Sequence, residues 1–312
     1  MSAFISIPGN PEPQGAEAFS MTSADGVRIR AAAFPVSEAR GGIILLTGWK
    51  EFIEKYFEVV QDFHKRGFSV FTMDWRGQGK SDRLSAAAHD SHIEDFADFR
   101  ADIAQLTDEI ARPRVAGPLF LVTHSMGGAP ALQLLADGDA RFSGAVLCAP
   151  LTRMPQPAAQ RALYKAFAAL AGALGRSDAA LPGVDVVGAS FETSKVTTDR
   201  RRHQIFTDLE AASPEARVDR PTFGWLKAAL AASDDLHRPG RFYNLKTPVL
   251  IVSAEKDALV SSRDHQLLAA RSPLIECVTI RGALHEIMME RDEIRNEYWR
   301  AFDRFAARIL GG

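Results

Sequence analysis

The sequence predicts an α/β domain whose mostly parallel central sheet is covered by helices on both faces and interrupted by a helical cap. Three observations carry this. Residues 42–47, 68–73, 119–123, 144–149 and 248–253 are short apolar runs without alternation, as expected of strands covered on both sides. Amphipathic helical patterns separate them. Between Leu151 and Phe242 the alternation stops: Pro155, Pro157, Pro182, Pro214 and Pro221 break a stretch that is helical where it is periodic and has no convincing strand.

Taken in order, residues 1–20 carry Pro8, Gly9, Pro11, Pro13 and Gly15, which predicts a loosely attached leader. Val27, Ile29 and Ala31 then alternate with Arg28 and Arg30, the pattern of a strand with one wet face. After the strand at 42–47, Phe52, Tyr56, Val59, Val60 and Phe63 recur at helical spacing, and Gly67 stands where a C-cap is wanted. Ile93, Phe96, Ile103, Leu106 and Ile110 mark the face of a second helix, and a third begins near Ala129. Beyond the cap come a strand at 248–253, a helix around Asp264, a further buried strand at 275–280 and a terminal helix from about Glu290. The expected organisation is therefore leader 1–20, core 21–150 and 243–312, and cap 151–242.

With 312 residues, 46% of them hydrophobic, the chain buries a substantial core. Its 37 Lys and Arg stand against 39 Asp and Glu, so no charge excess points to nucleic acid or to general attraction by anionic membranes. Cys148 and Cys277 lie in apolar runs and read as reduced core thiols. The first 20 residues lack the pattern of a secretory signal, and no window approaches ~18 uninterrupted apolar residues. A cytoplasmic protein is expected, with room for transient contact at a membrane surface; oligomeric state is not legible.

Open α/β sheets place chemistry just beyond strand C-termini. Ser125 stands there, between an apolar strand and Gly127-Gly128, close to the G-x-S-x-G nucleophile elbow except that Thr123 occupies its first position. A serine hydroxyl needs a base, and the base needs a carboxylate to orient it. In the chain order Ser, Asp, His, the candidates are Asp257 and His285, each a few residues past a strand; Glu255, Asp264 and His265 are rivals. The oxyanion of acyl transfer needs two main-chain N–H donors, expected from Met126 and Trp49, with Gly48 allowing close approach.

These residues, with 48–63, the run 73–81 (MDWRGQGKS), 222–226 (TFGWL) and 282–286 (GALHE), resemble the lysophospholipase and monoacylglycerol lipase group of α/β-hydrolases, the serine aminopeptidase S33 or hydrolase-4 type, with the nearest likeness among bacterial lysophospholipases. The family usually has histidine where this chain has Thr47 and glycine where it has Thr123. The resemblance implies a serine hydrolase acting on a single-chain lipid ester, without metal or organic cofactor, with Gly48, His124 and Trp225 at the substrate. A small carboxylic ester or thioester is the alternative substrate, and a non-catalytic receptor on the same scaffold is the alternative class. Asp74 and Arg76 read as ties between loops.

Within the cap, Leu163, Phe167, Leu170 and Leu174 form one apolar helical stripe, expected to pack on the cap's own core. Residues 200–203 (RRRH) read as a solvated helix start after Asp199.

Overall fold

A computed structural model describes residues 4–183 and 190–311. The first three residues of the expected leader, residues 184–189 of the expected cap and the last residue of the core segment lie outside the described residues.

The chain runs β1 (Glu17–Thr22), β2 (Arg28–Phe34), β3 (Gly41–Leu46), α1 (Phe57–Lys65), β4 (Phe68–Met73), β5 (Asp90–Ser91), α2 (Phe96–Gln105), β6 (Leu119–His124), α3 (Gly128–Ala136) and β7 (Gly144–Cys148). It continues with α4 (Ala158–Ala173), α5 (Arg200–Ala212), β8 (Arg220–Pro221), α6 (Phe223–Leu236), β9 (Val249–Ala254), α7 (Ser262–Ala269), β10 (Ile275–Ile280) and α8 (Asp292–Leu310). Eight strands form one sheet in the order β1-β2-β4-β3-β6-β7-β9-β10. The two pairings that involve β2 are antiparallel and the other five parallel, so this is the doubly covered α/β architecture.

The five unalternating runs are the five central strands β3, β4, β6, β7 and β9, and every residue in them is buried. Gly67, at φ 76°, reverses the chain between α1 and β4 in the left-handed region open to glycine. Side-chain caps start α2 at Asp95, α6 at Thr222 and α7 at Ser261. At the far end α8 lays Trp299 and Phe302 on Phe63, at ring distances of 5.0 and 5.2 Å, closing one face of the sheet.

Several expectations need correction. Residues 4–20 are not loosely attached. Phe4 packs between Phe34 and Phe57 at 5.8 and 5.7 Å, the Ile5 N–H donates to Oε1 of Glu54 at 2.9 Å, and β1 begins at Glu17. One buried aromatic outweighs the local proline and glycine content. Arg30 does not face water either: its guanidinium is buried against Glu54 and Asp74, at 2.7 Å from each. The strand at 275–280 is an edge strand, buried only at its ends, because it pairs with β9 alone. Cys277 is accordingly half-buried, although burial still pushes its thiol up to about 11.

The insertion also differs. It contains the two-residue strand β8, paired with β5. Ala228, Ala229, Ala232 and Leu236 of α6 join the main core, while Leu226 and Leu230 of the same helix pack on Ala168 of α4. A boundary at residue 242 is thus too late: α6 already belongs to the core layer on one side. The stripe of α4 is inverted relative to expectation, with Leu163, Phe167, Leu170 and Leu174 51–66% exposed. Ala168 and Ala171 face inward instead, since small side chains let α4 approach α6 closely. Arg202 is no solvated helix start but a buried latch: its side chain meets Glu58 of α1, Asp292 of α8, Asp199 and the Glu290 carbonyl, at 2.6–2.9 Å. Among the described residues no helix is long and apolar enough to cross a membrane.

Because Phe4 is a core residue, Phe4→Ala is expected to lower unfolding stability by about 3 kcal/mol in a urea titration. An unchanged midpoint and slope would restore the loose leader.

Candidate active site

Strand β6 ends at His124, and Ser125 opens a 3-10 turn, Ser125–Gly127, that runs straight into α3. Ser125 has φ 48°, a left-handed conformation that is strained for a residue with a side chain. The glycines that follow are sterically required. A Cβ on Gly127 would lie 2.7 Å from the Thr47 carbonyl oxygen, and one on Gly128 2.4 Å from Cβ of Pro150. The same bare Gly128 leaves room for Thr123, whose hydroxyl would be 3.3 Å from that Cβ, so the departure from the elbow pattern is absorbed by packing.

Around this turn the three triad candidates converge. His285 Nε2 is 2.8 Å from Ser125 Oγ, and His285 Nδ1 is 2.8 Å from Oδ2 of Asp257. The Asp257 side chain is fully buried in the loop after β9, where its Oδ1 accepts the N–H groups of Leu259 and Val260 at 2.8 and 3.0 Å. Burial alone would raise its pKa; His285 and the two amides outweigh burial and hold the carboxyl below the usual range. The rivals are occupied elsewhere. Glu255 accepts the Gly282 N–H, Asp264 holds Thr152, Arg153 and His237, and His265 is buried between Ser253 and the Pro150 carbonyl.

The loop after β3 is pinned from three sides. Trp75 Nε1 donates to the Thr47 carbonyl at 2.8 Å, the Lys50 N–H donates to Gln78 at 2.6 Å, and the Gly48 N–H donates to Glu51. No acceptor among the described residues meets the Trp49 N–H. Met126 lies in the first turn of the helical segment after β6, where an N–H has no intrahelical partner. Both amides are candidates for holding an oxyanion. Asp74 and Arg76 stand off from the serine. Asp74 accepts from Arg30 and from the N–H groups of Ile53 and Lys80, and Arg76 forks onto Asp102 at 2.7 Å, so both tie loops together.

A cavity of about 460 Å³ opens above Ser125. Its walls are largely apolar: Trp49, Met126, Leu151, Met154, Phe206, Trp225, Leu259 and Val260 line it, with Trp49 and Trp225 at a ring distance of 5.8 Å. Gly48 and Trp225 line this cavity. His124 also borders it, buried and with both ring nitrogens engaged within the protein, so its polar atoms are not offered to a ligand. Sequence reasoning missed His203, Phe206, Thr207 and Glu210, all on the cavity wall. Their spacing, one face of α5, was the available signal. Glu210 pairs with Lys50 at 3.0 Å, joining α5 to the pinned loop. Among the described residues no group of three or more His, Cys, Asp or Glu side chains converges as a metal site would.

The chain is similar to known proteins along most of its length. Residues 37–292 match the family described as serine aminopeptidase S33, Hydrolase_4. Lysophospholipase L2 of Escherichia coli is 29% identical over 88% of this chain and 83% of its own. Monoacylglycerol lipase of Mycolicibacterium smegmatis is 25% identical, over 88% and 91%. The solved monoglyceride lipase of Saccharomyces cerevisiae, a soluble variant bound to a substrate analog, superposes with a TM-score of 0.73 at 20% identity, over 94% of this chain and 96% of that one. By the match over residues 37–292, the chain belongs to the serine aminopeptidase S33 family of α/β hydrolases.

Proposed function

We propose that the protein is a serine esterase that cleaves the carboxylic ester of a single-chain lipid, a lysophospholipid or monoacylglycerol, through an acyl-enzyme. The observation that carries this is the continuous chain Asp257–His285–Ser125, with both contacts at 2.8 Å, at the floor of an apolar cavity. His285 takes the Ser125 proton as Oγ attacks the ester carbonyl, and Asp257 holds the tautomer and stabilises the imidazolium. The Trp49 and Met126 amides receive the oxyanion. His285 then protonates the leaving alcohol and activates the water that releases the fatty acid. The names of the relatives, lysophospholipase and monoacylglycerol lipase, support the substrate class, as do the aromatic and aliphatic walls.

Such a substrate lives in membranes, and the surface of the insertion suits an anionic bilayer. The stripe of α4 is exposed, and residues 151–177 carry Arg161, Lys165 and Arg176 and no Asp or Glu. Lys165 pairs with Asp234 of α6.

A fluorophosphonate is expected to label Ser125 alone, mapped by peptide mass spectrometry, and Ser125→Ala to lower kcat by about 10⁶-fold on monoacylglycerol and lysophospholipid with an unchanged fold. Undiminished hydrolysis by that variant would remove Ser125 from the reaction. Asp257→Asn is expected to cost about 10⁴-fold in kcat through the wrong histidine tautomer. Vesicles rich in phosphatidylglycerol should sediment the protein, and the Phe167→Ser/Leu170→Ser variant should stay in the supernatant while hydrolysing a water-soluble short-chain ester normally. Equal sedimentation of the two proteins would dismiss α4 as the docking face.

A further inference from the structure

Beneath Ser125 lies a set of charged side chains to which the ester reaction assigns no task. His124 is 2% exposed, and both of its ring nitrogens face acceptors: Nδ1 is 3.0 Å from Oε2 of Glu51, and Nε2 is 3.3 Å from the main-chain oxygen of His285. A neutral imidazole has one N–H, so either tautomer would set a bare lone pair against an acceptor; the imidazolium alone serves both. Glu51 is held as the carboxylate partner. It also accepts from Lys55 Nζ and the Tyr56 hydroxyl, each at 2.7 Å, and from the Gly48 N–H.

Charge balance leads to the same state. The groups facing His124 are Glu51 and Lys55 from the segment entering α1, Glu286 and His285 from the loop after β10, and Cys148, its register partner on β7. Burial keeps the Cys148 thiol neutral by pushing its pKa up, and does the same for the Tyr56 hydroxyl. Lys55 bridges Glu51 at 2.7 Å and Glu286 at 2.6 Å. With His124 protonated, the carboxylates Glu51 and Glu286 are matched by Lys55 and His124. With it neutral, the buried set keeps an uncompensated negative charge, which a low-dielectric interior penalises.

We propose that His124 is a permanently protonated positioning residue, an imidazolium that bridges the Glu51 carboxylate to the His285 carbonyl and thereby sets the base against Ser125. Three parts of the site meet through it: the serine that follows it in sequence, the main chain of His285, and the loop held through Gly48 and Glu51. Gly48 is part of the device, because a Cβ there would lie 2.7 Å from Oε2 of Glu51 and 2.9 Å from Nδ1 of His124. Burial works against the charge on His124, and Glu51 overrides it to hold the residue above the usual histidine range. The positioning role rests on the reading of Ser125 and His285 as nucleophile and base; the protonation state does not.

The test is nitrogen NMR of the full chain carrying ¹⁵N-labelled histidine, with the His124 signals identified by their loss in His124→Gln. Both ring nitrogens of His124 are expected to carry protons at pH 8, and one unprotonated nitrogen there overturns the proposal. Glu51→Gln removes the countercharge and is expected to bring loss of the second proton below pH 8; it also identifies the His124 signals if His124→Gln does not fold. Folded His124→Gln keeps a neutral donor but no charge, and is expected to lose about tenfold to a hundredfold in kcat with KM within about twofold. An unchanged kcat overturns the positioning role even if the imidazolium is found. Failure of fluorophosphonate to label wild-type Ser125 counts against the esterase reading instead, and leaves the nitrogen spectrum to decide the charge on His124.

Discussion

Ser125 is held at φ 48°, a backbone state that costs an ordinary residue about 1–3 kcal/mol and persists only where its surroundings over-determine it. Much of the molecule converges on that demand. The all-buried strands β3, β6 and β7 fix the end of β6 from both sides, the Leu151 N–H takes the Ser125 carbonyl at 2.8 Å, and Pro150 and the Thr47 carbonyl fill the spaces that Gly127 and Gly128 leave open. A sheet twice covered by helices is stiff enough to carry such a turn, and its C-terminal edge is where the strained residue emerges.

The polar interior follows from the same demand. Arg30 with Glu54 and Asp74, Arg76 with Asp102, and Glu51 with Lys55 and His124 are desolvated pairs, each braced by main-chain or side-chain hydrogen bonds. Their net contribution to stability is small, since desolvation offsets much of the attraction. What they supply is position. All three sets tie a loop or helix segment to another part of the chain, Arg30 from β2 and His124 from the end of β6 among them, where the loops around Ser125 would otherwise have only packing to hold them.

How much of this was legible in the sequence depended on whether a feature is set by local pattern or by a distant partner. The central strands declared themselves through uninterrupted apolar runs, and Ser125, Asp257 and His285 through their common station just past strands. Phe4, Arg30 and Arg202 were misjudged because their partners are remote in sequence: Phe34 and Phe57, Glu54 and Asp74, Glu58 and Asp292. The stripe on α4 shows another limit. Periodicity establishes that a helix has an apolar face, but here α4 turned its alanines to α6 and left its leucines outside. Glu51 and Lys55 went unremarked because an acid and a base four residues apart look like any solvated helix face.

The Arg202 latch bears on how the cavity discriminates. Tied to α1 and α8 through Arg202, α5 carries His203, Phe206, Thr207 and Glu210 into the cavity wall. One side of the cavity is therefore anchored to helices that themselves pack on the sheet. For the lipid ester proposed above, discrimination on that side would come from the fit of the incoming molecule to a surface already tied in place, at little ordering cost.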